Sequence, residues 1–132
     1  MERYESWIGR AKSSYEYSKA IVNEFVYYEN LCYQAQQAVK KALKGLLIYF
    51  GEEPNFTHNI GLLLSNLEKY VEIDDNVKQG MDLTNYAVQT RYPGQYTEVT
   101  KEEYQKAVKI SKECLEWVEK IIKNKNTSPN KR

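Results

Sequence analysis

One unbroken stretch, Cys32 to Gly51 (CYQAQQAVKKALKGLLIYFG), constrains the fold of this chain more than any other. Leu31, Ala35, Ala38, Ala42, Leu46 and Tyr49 recur at steps of three and four, which stacks them on one face of a helix. Val39, Leu43, Leu47 and Phe50 widen that stripe until it meets more than one neighbour. Ala, Leu, Lys and Gln favour the helix, and Gly51 stands where a helix stops. The pattern predicts a central helix, apolar over most of its circumference, with one narrow polar strip.

That strip holds Gln37, Lys41 and Lys44, with Lys40 beside them. It reads in two ways. A solvated helix face accounts for it, and so does a surface for an anion or phosphate. The second reading arises because the lysines crowd together with no acid among them, and like charges one turn apart mildly destabilise a helix.

With 132 residues the chain has the length of one domain with its own core. A charged fraction of 28% beside 42% apolar residues marks it as globular rather than disordered. The formal net charge of +1 supplies no global basic field, so contact with nucleic acid has to come from a local patch. The opening MERYESWIGRAK carries charge throughout and lacks the apolar run of a signal peptide. No segment reaches the length of a membrane span, so a cytoplasmic location is expected. Cys32 and Cys114 both fall inside helical patterns and read as small buried hydrophobes. With a single histidine in the chain, zinc ligation is not expected, and no cofactor is called for. The unusual count is twelve tyrosines, a residue suited to helix contacts and subunit interfaces.

Along the chain, a first helix is expected from about Arg3 to about Asn23. Its seam is Tyr4, Ile8, Ala11, Tyr15, Ser18, Val22 and Phe25, with Trp7 beside it. A loop around Pro54 and Asn55 follows the central helix. Thr57 or Asn59 then caps a helix carrying Ile60, Leu63, Leu64, Leu67, Tyr70 and Val71, with His58 at its start. Glu72 to Asp75 reads as a linker, with Asp74 or Asp75 capping a fourth helix whose inward face is Val77, Met81, Thr84 and Val88. Pro93-Gly94 within RYPGQYTEV fits a type II turn that brings Arg91 near Tyr96. The last helix opens with a capping box, Thr100 and Glu103, and a hydrophobic staple, Val99 and Tyr104. The expectation is an all-α, up-and-down bundle of four long helices and a shorter fifth. It occupies residues 1–123, with a polar and disordered tail at 124–132.

Four pieces in order, the aromatic first seam, CYQAQQAVKKALKGLLIYFG, THNIGLLLSNL and TRYPGQY, resemble a HEPN domain (higher eukaryotes and prokaryotes nucleotide-binding) from about Tyr4 to Lys120. The resemblance implies a helical bundle that forms a homodimer. It also implies a minimal nucleotidyltransferase as partner, often in a toxin–antitoxin pair. Some members are metal-independent ribonucleases with an Arg, four to six residues, then a His, contributed by both protomers at a cleft. Arg91 matches that Arg, Tyr92 to Gln95 fill the spacer, and Tyr96 stands where the His belongs. Histidine titrates near neutrality, whereas tyrosine, with a pKa of about 10, is a poor base there.

Three readings of function follow. The first is a module that binds a nucleotide or RNA phosphate through Arg91, Tyr92, Tyr96, Gln37, Lys41, Lys44 and His58. The second is a ribonuclease toxin using Arg91 with Tyr96, or with His58, in the catalytic places. The third is a non-catalytic dimeric scaffold in which the polar strip is only solvated surface; the matching structural reading of the loop has Arg91 capping the C-terminus of the fourth helix.

Overall fold

The computed structural model describes residues 3–21, 23–53, 59–79 and 99–127. Among them all regular secondary structure is helical: α1 Tyr4–Ser18, α2 Tyr28–Tyr49, α3 Ile60–Leu67, α4 Asp75–Lys78 and α5 Lys101–Thr127. The central helix expected from Cys32 begins a turn earlier, at Tyr28, and stops as its sequence predicts. Gly51 adopts φ +90°, open to a glycine without strain. Glu52 N–H donates to the Leu47 carbonyl at 3.0 Å and Gly51 N–H to that of Ile48 at 2.9 Å, the paired bonds of a Schellman ending.

The bundle is built around α2. Tyr4 packs edge-on against Tyr49, Trp7 and Ile8 lie against Gly45, and Ser14 meets Lys41, so α1 runs antiparallel to α2. A Cβ on Gly45 would sit 2.9 Å from Ile8 Cδ1 and 3.2 Å from Trp7 Cβ; the missing side chain lets the two helices close. On α5, Tyr104 lies beside Ser18 and Glu119 pairs with Lys12 at 2.7 Å, so α5 is also antiparallel to α1. Leu31, Ala35, Ala38, Val39, Ala42, Leu43, Leu46 and Leu47 are all buried, as the wide stripe requires. Ile60, Leu63, Leu64 and Leu67 of α3 and Ala107, Ile110, Cys114, Leu115 and Val118 of α5 complete one continuous core. Cys32 and Cys114 are buried thiols within it.

The predicted starts of α3 and α5 are present in detail. Asn59 Oδ1 accepts from Leu62 N–H at 3.2 Å. Thr100 Oγ1 accepts from Glu103 N–H at 3.0 Å while Glu103 Oε1 accepts from Thr100 N–H at 2.9 Å, and Val99 and Tyr104 are both buried beside them. Asp74 occupies the N-cap position of α4 without a side-chain cap bond, and Val77 is buried as expected.

Two boundaries differ from expectation. The first helix ends at Ser18 rather than near Asn23. The Tyr104 hydroxyl, from the far end of the chain, donates to the Ser18 carbonyl at 2.7 Å and takes the acceptor that a continuing helix needs. Asn23 Oδ1 then accepts from Phe25 N–H at 2.8 Å, a local bond that competes with helix. Phe25, placed in the buried seam by its spacing, is therefore 81% exposed. At the other end α5 continues past Lys123 to Thr127. Met81, Thr84, Val88 and the Pro93-Gly94 turn lie outside the described residues.

Candidate functional site: a lysine strip between α1 and α2

The polar strip of α2 is not a freely solvated face. Gln37, Lys41 and Lys44 are half-buried and Lys40 is buried, with 5% exposure. The antiparallel packing of α1 explains this, because it lays Trp7 and Ser14 alongside the lysine stems. Lys41 Nζ donates to Ser14 Oγ at 2.9 Å, and Ser14 is itself buried. Lys44 Nζ lies 5.5 Å from the centre of the Trp7 ring, within cation–π range. Gln37 Nε2 donates to the Tyr33 hydroxyl at 2.7 Å.

The electrostatics are one-sided. Lys12, Lys19, Lys69 and Lys78 each lie near a carboxylate. Among the described residues no carboxylate reaches Lys40, Lys41 or Lys44. Burial, reinforced by the neighbouring Lys44 and Lys41 ammonium groups, holds the Lys40 amine below the ordinary lysine range. Burial lowers Lys44 as well. Two polar atoms here are buried without a hydrogen-bond partner, Trp7 Nε1 and Gln36 Oε1. The strip thus offers positive charge, an indole face and partly dehydrated polar groups, a set suited to a phosphate with an attached base or sugar.

Of the residues singled out from sequence, the fold brings Gln37, Lys41 and Lys44 onto one face. Arg91, Tyr92, Tyr96 and His58 lie outside the described residues. Spacing along the chain points to Gln37, Lys41 and Lys44 because they share a helix. It gives no sign of Ser14, which reaches Lys41 only across the helix pair, nor of the burial of Gln36 and Lys40. An open hollow of about 490 Å³ elsewhere, lined by Glu72, Asp74, Asp75, Trp117 and Lys120 among others, carries mostly acidic charge and disfavours phosphate. Among the described residues no group of His, Cys, Asp or Glu is arranged to hold a metal ion. No helix among them is long and apolar enough to cross a membrane.

Comparison with known proteins agrees with this architecture. The structure is similar to that of TT1696 from Thermus thermophilus, with a TM-score of 0.77 and 27% sequence identity over 91% of this chain and 98% of that one. It is similar as well to ST0689, described as an archaeal HEPN homologue, with a TM-score of 0.72 and 27% identity over 92% of this chain and 99% of that one. A comparison with curated proteins finds no match. The profile of the HEPN domain matches residues 4–121, nearly the whole helical body. The chain belongs to the HEPN family.

Proposed function

We propose that this protein is a binding and interaction module that holds a nucleotide or RNA phosphate along the α1–α2 strip. In this reading Lys41 and Lys44 attract the phosphate, Gln37 offers a hydrogen bond, and Arg91 with Tyr92 and Tyr96 supplies a guanidinium fork and ring faces. The observation that carries it is the absence of any carboxylate beside Lys40, Lys41 and Lys44 among the described residues, in a strip held partly out of water. A set of like charges without counter-charge is unfavourable by itself and becomes favourable when an anion joins it.

The same reading includes a homodimer that partners a minimal nucleotidyltransferase in the cytoplasm, in a toxin–antitoxin pair. Family membership supports it. So does the corner between α1 and α2, where Tyr17, Ile21, Phe25 and Tyr27 expose between 54% and 81% of their surface. Exposed apolar residues gathered in this way mark a surface that a protein partner covers.

The test measures RNA binding and metal-free RNA cleavage side by side, with wild type, Arg91→Ala and the double variant Lys41→Glu/Lys44→Glu, each checked for helical content. Binding without cleavage, weakened in both variants, supports the module. Cleavage lost in Arg91→Ala moves the protein to the ribonucleases and implies that Tyr96 or His58 serves for the missing His. Folded wild type that neither binds nor cleaves leaves the scaffold.

A further inference from the structure

Four of the seven large apolar side chains that stand exposed among the described residues, Tyr17, Ile21, Phe25 and Tyr27, gather at the corner where α1 gives way to α2. Beside them lies a hollow of about 290 Å³ with apolar walls from Ile21, Val26, Tyr27, Tyr28 and Val99. The core fixes its floor. Tyr28 stacks on the buried Tyr104 with ring centres 5.0 Å apart, and the Tyr104 hydroxyl donates to the Ser18 carbonyl at 2.7 Å. Local bonds turn Phe25 outward, its N–H donating to Asn23 Oδ1 at 2.8 Å and Val26 N–H to the Asn23 carbonyl at 3.3 Å. The hollow and the projecting ring are thus preformed, which lowers the cost of binding.

Two carboxylates, Glu24 and Glu29, line the same hollow. The ion pairs among the described residues all lie elsewhere, and Lys19, the closest lysine along the chain, is taken by Glu16. Glu29 sits in the first turn of α2, where the helix dipole favours it, but Glu24 precedes the helix and has no such compensation. The corner therefore attracts cations and repels phosphate, the opposite of the lysine strip farther along α2. Area decides the size of what it takes. With between 54% and 81% of their surface exposed, the four side chains present roughly 500 Å². A standard interface covers about 800 Å² on each partner. The corner suits one segment of chain rather than a whole domain face, and side-chain anchors in a groove are a recurring mode of peptide recognition.

We propose that this corner binds a short segment of a partner protein that carries an apolar side chain flanked by lysine or arginine. The apolar side chain fills the hollow against Tyr28 and Val99, Phe25 packs on its outer side, and the basic residues meet Glu24 and Glu29. The inference rests on the reading of this corner as a partner surface and deepens it by naming what the partner presents.

The experiment selects a random-peptide phage library on the full chain and measures the enriched peptides, labelled, by fluorescence anisotropy. Enriched peptides are expected to carry an aromatic or aliphatic residue beside Lys or Arg. Phe25→Ser is expected to weaken their binding by about tenfold. The double variant Glu24→Gln/Glu29→Gln is expected to weaken it by about fivefold, and raised salt to weaken wild type in the same direction. Leu62→Ala, at an exposed apolar position on α3, is the control and leaves the affinity unchanged. A melting curve and a light-scattering mass accompany each variant, and Phe25→Ser is expected to keep the mass of wild type.

If the enriched peptides bind Phe25→Ser as tightly as wild type, they sit elsewhere and the inference is overturned. If Phe25→Ser weakens them but they carry no basic residue, or the glutamine variant binds them unchanged, the partner surface stands and the assigned chemistry is overturned. If Phe25→Ser turns a wild-type dimer into a monomer, a second copy covers the corner, so the surface stands and the segment is overturned. If no peptide is enriched and the mass is unchanged, the partner-surface reading falls and the inference with it.

Discussion

Lys40 is a cation placed where water is scarce, and its environment penalises the charge rather than balancing it. Its amine is held below the ordinary lysine range by burial, then by Lys44 and Lys41. The unfolded chain therefore binds the proton more tightly than the folded one, so folding stability rises with pH between the lowered folded value and the ordinary 10.5. Below that window the penalty is fully present. Lys40→Met should accordingly raise the ligand-free Tm at neutral pH by about 3 °C, corresponding to about 1 kcal/mol. The gap between variant and wild type should narrow as pH approaches 10.5, and calorimetry across pH checks both. A second residue makes the opposite case. Cys114 is fully buried among apolar neighbours, and burial pushes its thiol pKa up to about 12. It should resist a disulfide-exchange reagent at about pH 8 in the native protein and react at once in denaturant, because the thiolate is the nucleophile.

At the level of the elements, the helix ends are settled by local chemistry where the caps are complete and by distant residues where they are not. The start of α5 is of the first kind. Thr100 and Glu103 satisfy each other's backbone N–H groups, and Val99 and Tyr104 close over them. Thr100→Ala should lower stability by about 1 kcal/mol, and Thr100→Ser should restore most of it, measured by urea unfolding. The end of α1 is of the second kind. Its residues favour more helix, yet the Tyr104 hydroxyl takes the Ser18 carbonyl and Ser18 Oγ turns back to the Tyr15 carbonyl at 2.6 Å. The shortened helix releases the segment after it, which is why Phe25 leaves the seam that its spacing predicts.

For the whole molecule, α2 is the element against which α1, α3 and α5 pack, and the lysine strip runs along its border with α1. The exposed corner at Tyr17, Ile21, Phe25 and Tyr27 lies at the opposite end of the α1–α2 pair from the Tyr4–Tyr49 contact. The proposed phosphate site and the proposed partner surface thus lie in different parts of the molecule. Light scattering at micromolar concentration should give twice the 15.5 kDa chain mass, and a monomeric mass would remove the dimer from the proposed function. The strip itself should bind more weakly as salt rises, because its attraction to phosphate is electrostatic.

The amino-acid sequence alone determined the all-α class, the central helix, the Gly51 stop, a cap for α3 at Thr57 or Asn59, and the Thr100 capping box. Each of these is local, set by the period of the apolar residues or by a bond spanning three or four positions. The sequence also placed Gln37, Lys41 and Lys44 on one strip, since residues that share a helix share its geometry. Tertiary structure decided the rest. Ser14 and Lys41 are distant in the chain and meet only because α1 packs antiparallel on α2, and Tyr104 reaches Ser18 across still more of the chain. Whether a lysine on a polar strip is solvated or buried depends on which neighbour covers it. Periodicity reports the face of a helix but not the depth at which the fold sets that face. Lys40, Lys41 and Lys44 were therefore legible as charges, while the burial of the Lys40 side chain and of Gln36 emerged only in the packed molecule.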